Sequence, residues 1–259
     1  MPENDDCRLL LRVYGDSLGM PRAFEGIRYR ETYAELLKAA LEERAWRVDL
    51  YNRSKGNVDV GELRTMVEYD RRYFGRPREI VVIQCGIVDC APRPISGRTR
   101  RLVGRLPEPL RQRVITFLHS NRARLLNSGF QWRVTEPDPF RLTYRELLLA
   151  ASSGTGHVYS VNVAPTTPEM EEHSPGLSGS IQRYNTIIAD EVRRAGASVQ
   201  LIDVHSAILE EDGGLQRYVN AKDGHHITRE GHLLYTRLIM AAEHAWALER
   251  IEPSPATCP

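Results

Sequence analysis

The chain has no CxxC pair, and its four cysteines, Cys7, Cys85, Cys90 and Cys258, are scattered. That spacing supports neither a zinc site nor a disulfide framework. Cys85 ends an apolar run and reads as a buried small hydrophobe. No apolar run approaches the length of a membrane span, and no internal repeat is visible. An excess of either charge is also missing: 35 basic and 34 acidic residues leave a net +1, so nothing points to a nucleic-acid or acidic-membrane partner. The start, Met1-Pro2-Glu3-Asn4-Asp5-Asp6, is acidic and lacks the basic-then-apolar order of a signal peptide. The expected compartment is therefore the cytoplasm. Biased composition is confined to an arginine-rich stretch at 98–105 and a Pro/Ser/Ala tail at 252–259, expected to fray. What remains is ordinary for a soluble globular protein, with 41% hydrophobic and 27% charged residues over 259 positions.

Hydrophobic periodicity orders the chain. Apolar runs predict strands at 8–14, 46–51, 79–85, 157–163 and 198–204. The run Ile80-Val81-Val82-Ile83 is the strongest, and its continuous β-branching suits a parallel strand buried on both faces. Helical spacing predicts helices at 31–44, 59–73 (Asp59 as N-cap), 109–126, 144–152, 177–195 and 230–248. Alternating strands and helices imply a parallel sheet covered by helices on both faces. The middle, at about 94–156, is less regular. Pro137-Asp138-Pro139 separates its two helical stretches, and the whole reads as a helical insertion or lid within a single domain spanning 1–259.

Four stretches carry chemistry. The first is Gly15-Asp16-Ser17-Leu18 at the end of the first strand, where open α/β sheets place their sites. Ser17 is there a candidate nucleophile, although Gly, Asp and Ser are also ordinary turn residues. The second is Gly56, whose backbone N–H can approach a substrate oxygen as an oxyanion hole requires; alternatively it is a turn glycine. The third, Gly86-Ile87-Val88-Asp89-Cys90-Ala91-Pro92-Arg93, follows the strongest strand and carries a charged pair, Asp89 and Arg93. The fourth is Asp223-Gly224-His225-His226, where Asp223 can orient an imidazole and leave its other nitrogen free to take a proton. His225 competes for that role; the three-residue spacing favours His226. Thr228 is a natural N-cap for the last helix, and His232 is expected to pack inside it.

In this order the four stretches resemble the SGNH (GDSL-type) hydrolase family, over nearly the whole chain outside the helical middle. The resemblance implies an α/β fold, a three-layer α/β/α sandwich with a central, mostly parallel five-stranded sheet (flavodoxin-like) and a helical insertion after the third strand. It implies Ser17, His226 and Asp223 as the catalytic triad, with the N–H groups of Ser17 and Gly56 in the oxyanion hole. Tyr184-Asn185 also resembles the family's run into its last third. One position departs. The family's third block reads Gly-x-Asn-Asp, and here Gly86-Ile87-Val88-Asp89 puts valine where the asparagine donor belongs. Arg93, Asn57 and Asn162 are the candidate replacements, with Arg93 first by proximity in sequence. Asp16, Asn57, Gly86, Val88, Asp89 and Arg93 are the expected substrate-pocket residues.

The function expected is that of a serine esterase or deacylase acting on a small-molecule ester or acetylated carbohydrate. It would use an acyl-serine and need no metal or organic cofactor. An acyltransferase acting on a polysaccharide precursor or biosynthetic intermediate shares that chemistry. A binding protein with a degenerate site is the reading favoured by Val88. Arg98, Arg100, Arg101, Arg105, Arg111 and Arg113 form a basic stretch, read as a solvated helix face in preference to an anion-facing one.

Overall fold

The computed structural model describes residues 8–44, 46–74, 78–154 and 156–249. Cys7, Cys258, the acidic segment 1–6 and the tail 252–259 lie outside them. The sheet is built from β1 (Arg8–Gly15), β2 (Arg47–Asn52), β3 (Glu79–Gln84), β4 (His157–Val161) and β5 (Val199–Ile202), all parallel, in the order β2-β1-β3-β4-β5. Every residue of β3 and β4 is buried, as the continuous apolar run of β3 requires. Each Val or Ile sealed there contributes about 1.5–3 kcal/mol.

Between the strands run α1 (Tyr33–Glu42), α2 (Val60–Phe74), α3 (Ile87–Cys90), α4 (Gly97–Gly104), α5 (Glu108–Ser120), α6 (Arg122–Asn127) and α7 (Pro137–Ser152). After β4 come α8 (Pro168–His173), α9 (Leu177–Ala195), α10 (Val204–Glu210), α11 (Leu215–Tyr218) and α12 (Arg229–Glu249). The core helices bury one stripe each: Tyr33, Leu37 and Leu41 in α1, and Leu177, Ile181, Tyr184, Ile188 and Val192 in α9. α1 packs on α12, whereas α2 packs on α7 and α7 on α9, giving the two helical layers of an α/β/α sandwich. The expected caps are present. Asp59 accepts from the Glu62 N–H at 3.0 Å, and Thr228 Oγ1 accepts from the Gly231 N–H at 3.1 Å.

The helical middle divides differently from expectation. Pro137 and Pro139 do not break a helix; they occupy the first turn of α7, where a missing N–H costs nothing. α7 buries Phe140, Tyr144, Leu147 and Leu148 and is the crossover helix between β3 and β4. The insertion thus ends near residue 136 rather than 156, and consists of α4, α5 and α6.

The topology fixes where a site can form. From β1 the chain moves outward one way to β2, and from β3 the other way through β4 to β5. The carboxyl ends of β1 and β3 are adjacent, with Gly15 opposite Gln84. This is the switch point at which open α/β sheets leave a crevice.

Candidate active site

Ser17 leaves β1 in a single 3-10 turn, Ser17–Gly19. Asp16 caps that turn: its buried carboxylate accepts from the Leu18 N–H at 2.9 Å. Burial pushes the Asp16 pKa up to about 6 despite that N–H. The loop after β2 is drawn alongside, with Arg53 N–H donating to Val13 O at 2.7 Å and Lys55 N–H to Gly15 O at 3.0 Å. Gly56 and Asn57 follow directly. Asn57 takes a left-handed backbone with φ of 61°, which asparagine tolerates better than most residues.

The last loop supplies an acid and a base. Asp223 Oδ2 lies 2.9 Å from His226 Nδ1, and His226 Nε2 lies 2.9 Å from Ser17 Oγ. A carboxylate only accepts, so Nδ1 carries the hydrogen and the Nε2 lone pair faces the serine hydroxyl. Asp223 Oδ1 also accepts from the N–H groups of His226 (3.0 Å) and His225 (3.2 Å). Burial alone would raise the Asp223 pKa, yet its hydrogen bonds with the His226 ring and these N–H groups hold it well below the usual carboxylate range.

The loop is strapped down by its backbone. Gly224 sits at φ of 69°, and its carbonyl accepts from Thr166 Oγ1 at 2.8 Å and from the Thr167 N–H at 3.1 Å. A Cβ at Gly224 would lie 2.2 Å from Met170 Cβ, so the position admits only glycine without rearrangement.

His225 does not compete for the base position. Its Nδ1 is 2.8 Å from the Asp223 carbonyl, so that nitrogen is the donor. Burial lowers its pKa and keeps the ring neutral beside His226, centroid to centroid 4.1 Å. Asp223, His225 and His226 offer three potential metal-ligand atoms within 4.8 Å of one another. Both Nδ1 atoms are already engaged within the loop.

Nothing in the sequence singles out Arg22. Its guanidinium donates to Asp223 Oδ2 at 3.1 Å and pairs with Glu25, which in turn accepts from Asn220 Nδ2 at 2.7 Å. An arginine five positions beyond the serine carries no local signal of a partner 201 residues away.

A cavity of about 650 Å³ opens beside Ser17, lined there by Asn57, Val88, Arg93 and His225, with α4, α5 and α8 completing its wall. Of the six expected pocket residues, Asn57, Val88 and Arg93 line it. Asp16, Gly86 and Asp89 are buried and do not. Gly86 is structural, with φ of 123° and the nearest atom to an added Cβ, on Val163, only 2.8 Å away. Asp89 does not pair with Arg93. Its carboxylate accepts from Thr135 Oγ1 at 2.5 Å and from the first N–H of α2, on Val60, at 3.2 Å. Burial lifts its pKa to about 7. α3 ends at Cys90 and Ala91 is extended, so residues 89 and 93 share no helix face.

Asn162 is committed elsewhere, donating to Asp203 Oδ1 at 2.7 Å and accepting from the His205 N–H at 3.1 Å. Asn185 pins the chain after β4 through paired 2.8 Å bonds with the Val163 N–H and carbonyl. His232 packs as expected, stacked on Tyr33 and accepting its N–H at 3.1 Å. Arg100, itself exposed, and Arg111 line the cavity; Arg98, Arg101, Arg105 and Arg113 are exposed and do not.

No family model matches the sequence, and no curated protein does. Solved structures do match in fold. A lipase/acylhydrolase from Enterococcus faecalis superposes with a TM-score of 0.63 at 13% identity, covering 95% of this chain and 99% of that one. A member of the lipolytic G-D-S-L family from Veillonella parvula gives 0.55 at 14% identity, covering 94% and 98%. Axe2, an acetylxylan esterase from Geobacillus stearothermophilus, gives 0.56 at 13% identity, covering 90% and 92%. The fold of this chain, from β1 to α12, is the α/β fold of those lipase/acylhydrolase and esterase structures.

Proposed function

We propose that the protein is an SGNH-type serine hydrolase cleaving a small-molecule ester through an acyl-serine. The observation that carries this reading is the unbroken chain Asp223–His226–Ser17, with both links at 2.9 Å, at the mouth of a cavity. Ser17 Oγ attacks the ester carbonyl as its proton passes to His226 Nε2. The tetrahedral oxyanion is met by the N–H groups of Ser17 and Gly56. As the carbonyl re-forms, the alkoxy C–O bond breaks, and the imidazolium proton goes to the departing oxygen. Water repeats the sequence, with His226 again taking a proton, and releases the acid. Arg22 is a positioning residue that holds Asp223.

Val88 presents no donor to the oxyanion. Asn57 supplies it in this reading: it lines the cavity with Ser17, and among the described residues no hydrogen bond engages its side-chain amide. Arg93, the nearer residue in sequence, reaches back to the Val88 carbonyl at 3.4 Å. Losing one such donor costs about 10²–10³ in kcat, so Asn57→Ala should fall in that range. Val88→Asn in the Asn57→Ala background should recover part of the loss.

The test is a fluorophosphonate probe with intact-mass detection, alongside hydrolysis of short p-nitrophenyl esters. One adduct on Ser17, and turnover lowered about 10³-fold or more by Ser17→Ala, are expected. No adduct together with no turnover overturns the reading. An acyltransferase reading shares the acyl-serine and is favoured by the apolar part of the wall, Val103, Ile115 and Leu118, which suits an organic acceptor beside the serine. Acceptor alcohols that divert the acyl group from water would establish it. Acetylated carbohydrate remains a substrate class to be tried, following the acetylxylan esterase with the same fold.

A further inference from the structure

The cavity beside Ser17 has an unbalanced wall. Val103, Ile115, Leu118 and Leu177 make it apolar, and Arg93, Arg100, Arg111 and Arg122 enter it, but among the described residues no aspartate or glutamate lines it. Arg111 pairs with Glu108 one turn earlier on its own helix. Among the described residues, no carboxylate is paired with Arg93, Arg100 or Arg122. Arg122 donates to the Pro92 carbonyl and to Ser174 Oγ at 3.1 Å, which fixes its fork. The Nε atoms of both Arg93 and Arg122 are buried with no hydrogen-bond partner. Burial lowers the Arg93 pKa first, and the charges of Arg100 and Arg122 lower it further, against a smaller opposing pull from Asp89.

A solvated basic face would not look like this. Arg98, Arg101 and Arg113 on α4 and α5, and Arg105 just after α4, are exposed and off the cavity; Arg100 is exposed as well but lines it, whereas Arg93 and Arg122 are half-buried. Two half-buried guanidinium groups, Arg93 and Arg122, with the exposed Arg100 on the same wall and no carboxylate paired with them among the described residues, are a site lacking its ligand, and planar forks suit phosphate or carboxylate oxygens. A volume of about 650 Å³ is in the range that holds a small organic ligand.

Resting on the reading of Ser17 as an acyl-accepting nucleophile, we infer that the substrate is an anionic amphiphile: an ester with an apolar chain along Val103, Ile115 and Leu118 and a phosphate or carboxylate, at its non-reacting end, held by Arg93, Arg100 and Arg122.

Two measurements on the full chain test this, one independent of turnover. In calorimetric titration, hexyl phosphate should bind at least about tenfold tighter than hexanol or inorganic phosphate, the value of one charge-assisted contact. Arg100→Gln, on an exposed helix, should weaken it by about tenfold. In kinetics, kcat/KM for the mono-p-nitrophenyl ester of adipate should exceed that for p-nitrophenyl hexanoate by about tenfold at low salt, and the ratio should narrow at about 0.5 M salt. Preference for the carboxylate ester without hexyl phosphate binding assigns a carboxylate substrate; hexyl phosphate binding without that preference assigns a phosphate one. Inorganic phosphate binding as tightly as hexyl phosphate, or hexanol doing so with no ester preference, overturns the inference. Hexyl phosphate binding with Ser17 unlabelled and every ester inert sinks the hydrolase reading and leaves the anion site standing.

Discussion

Two groups of arginines, one packed against β1 and β3 and one beside the serine, are housed in opposite ways. Arg12, fully buried within β1, pairs with Glu79 at 3.2 Å and donates to the Phe74 carbonyl; Arg71 pairs with the same Glu79. The neighbouring Tyr14 and Arg53 share Asp70, at 3.0 and 3.4 Å. Each guanidinium there faces a carboxylate, with Arg12 and Arg71 sharing Glu79. Among the described residues, Arg93 and Arg122 are bonded to carbonyls and a hydroxyl, Arg100 is exposed beside them, and no carboxylate is paired with any of the three. The first arrangement is finished by folding. The second is completed only when something else arrives, and it stands beside the serine. A third basic group, His232, takes neither course and stays neutral, its pKa pushed down to about 4 by burial.

The sharpest way to break the contrast is Glu79→Gln, which leaves Arg12 and Arg71 without a buried carboxylate. Unfolding in urea should show a loss of about 3–5 kcal/mol. His232 gives the next largest effect. Its folded pKa lies below the ordinary 6.5, so its contribution is fully present above pH 6.5 and is lost as pH falls towards 4, by about 3 kcal/mol. Asp16 and Asp89, raised to about 6 and about 7, work the other way over the same range. The difference between wild type and His232→Gln, measured at about pH 7 and pH 4.5, isolates the histidine: the variant should lose less stability on acidification. Supplying the missing counter-charge is the third test. Val103→Glu, on the cavity wall, should abolish hexyl phosphate binding while changing stability by at most about 1 kcal/mol. The smallest effect is expected at Arg100→Gln, within about 0.5 kcal/mol in the absence of ligand. A large loss there would mean that the cavity arginines are structural, like those at Glu79.

What was legible in the sequence was what the local chain dictates. The run 80–83 could only be an interior strand. Ser17, Asp223 and His226 were readable as candidates from a strand-end turn, a three-residue spacing and the resemblance of the four stretches to one family, although the Ser17–His226 contact joins residues 209 positions apart. Four features were not readable, each for a tertiary reason. Arg22 meets Asp223 only after the first and last loops are brought together. The Pro137–Pro139 pair looks like a breaker unless the start of α7 is known to fall on it. The spacing of Asp89 and Arg93 suggested a pair, but the helix carrying Asp89 stops after four residues, and the carboxylate turns to α2 instead. Among the basic residues of 98–113, composition could not say which faced inward, since that depends on the packing of α4 and α5.

Arg22 has a consequence for motion. It sits in the loop that follows Ser17 and holds the loop that carries His226, so those two loops are latched together at the mouth of the cavity. A fluctuation that frees Asp223 from Arg22 also loosens the Ser17 turn. The Leu18 and His226 amides, each bonded to an aspartate on its own loop, should then exchange with solvent deuterium through one shared opening event, and Arg22→Gln should split it into two.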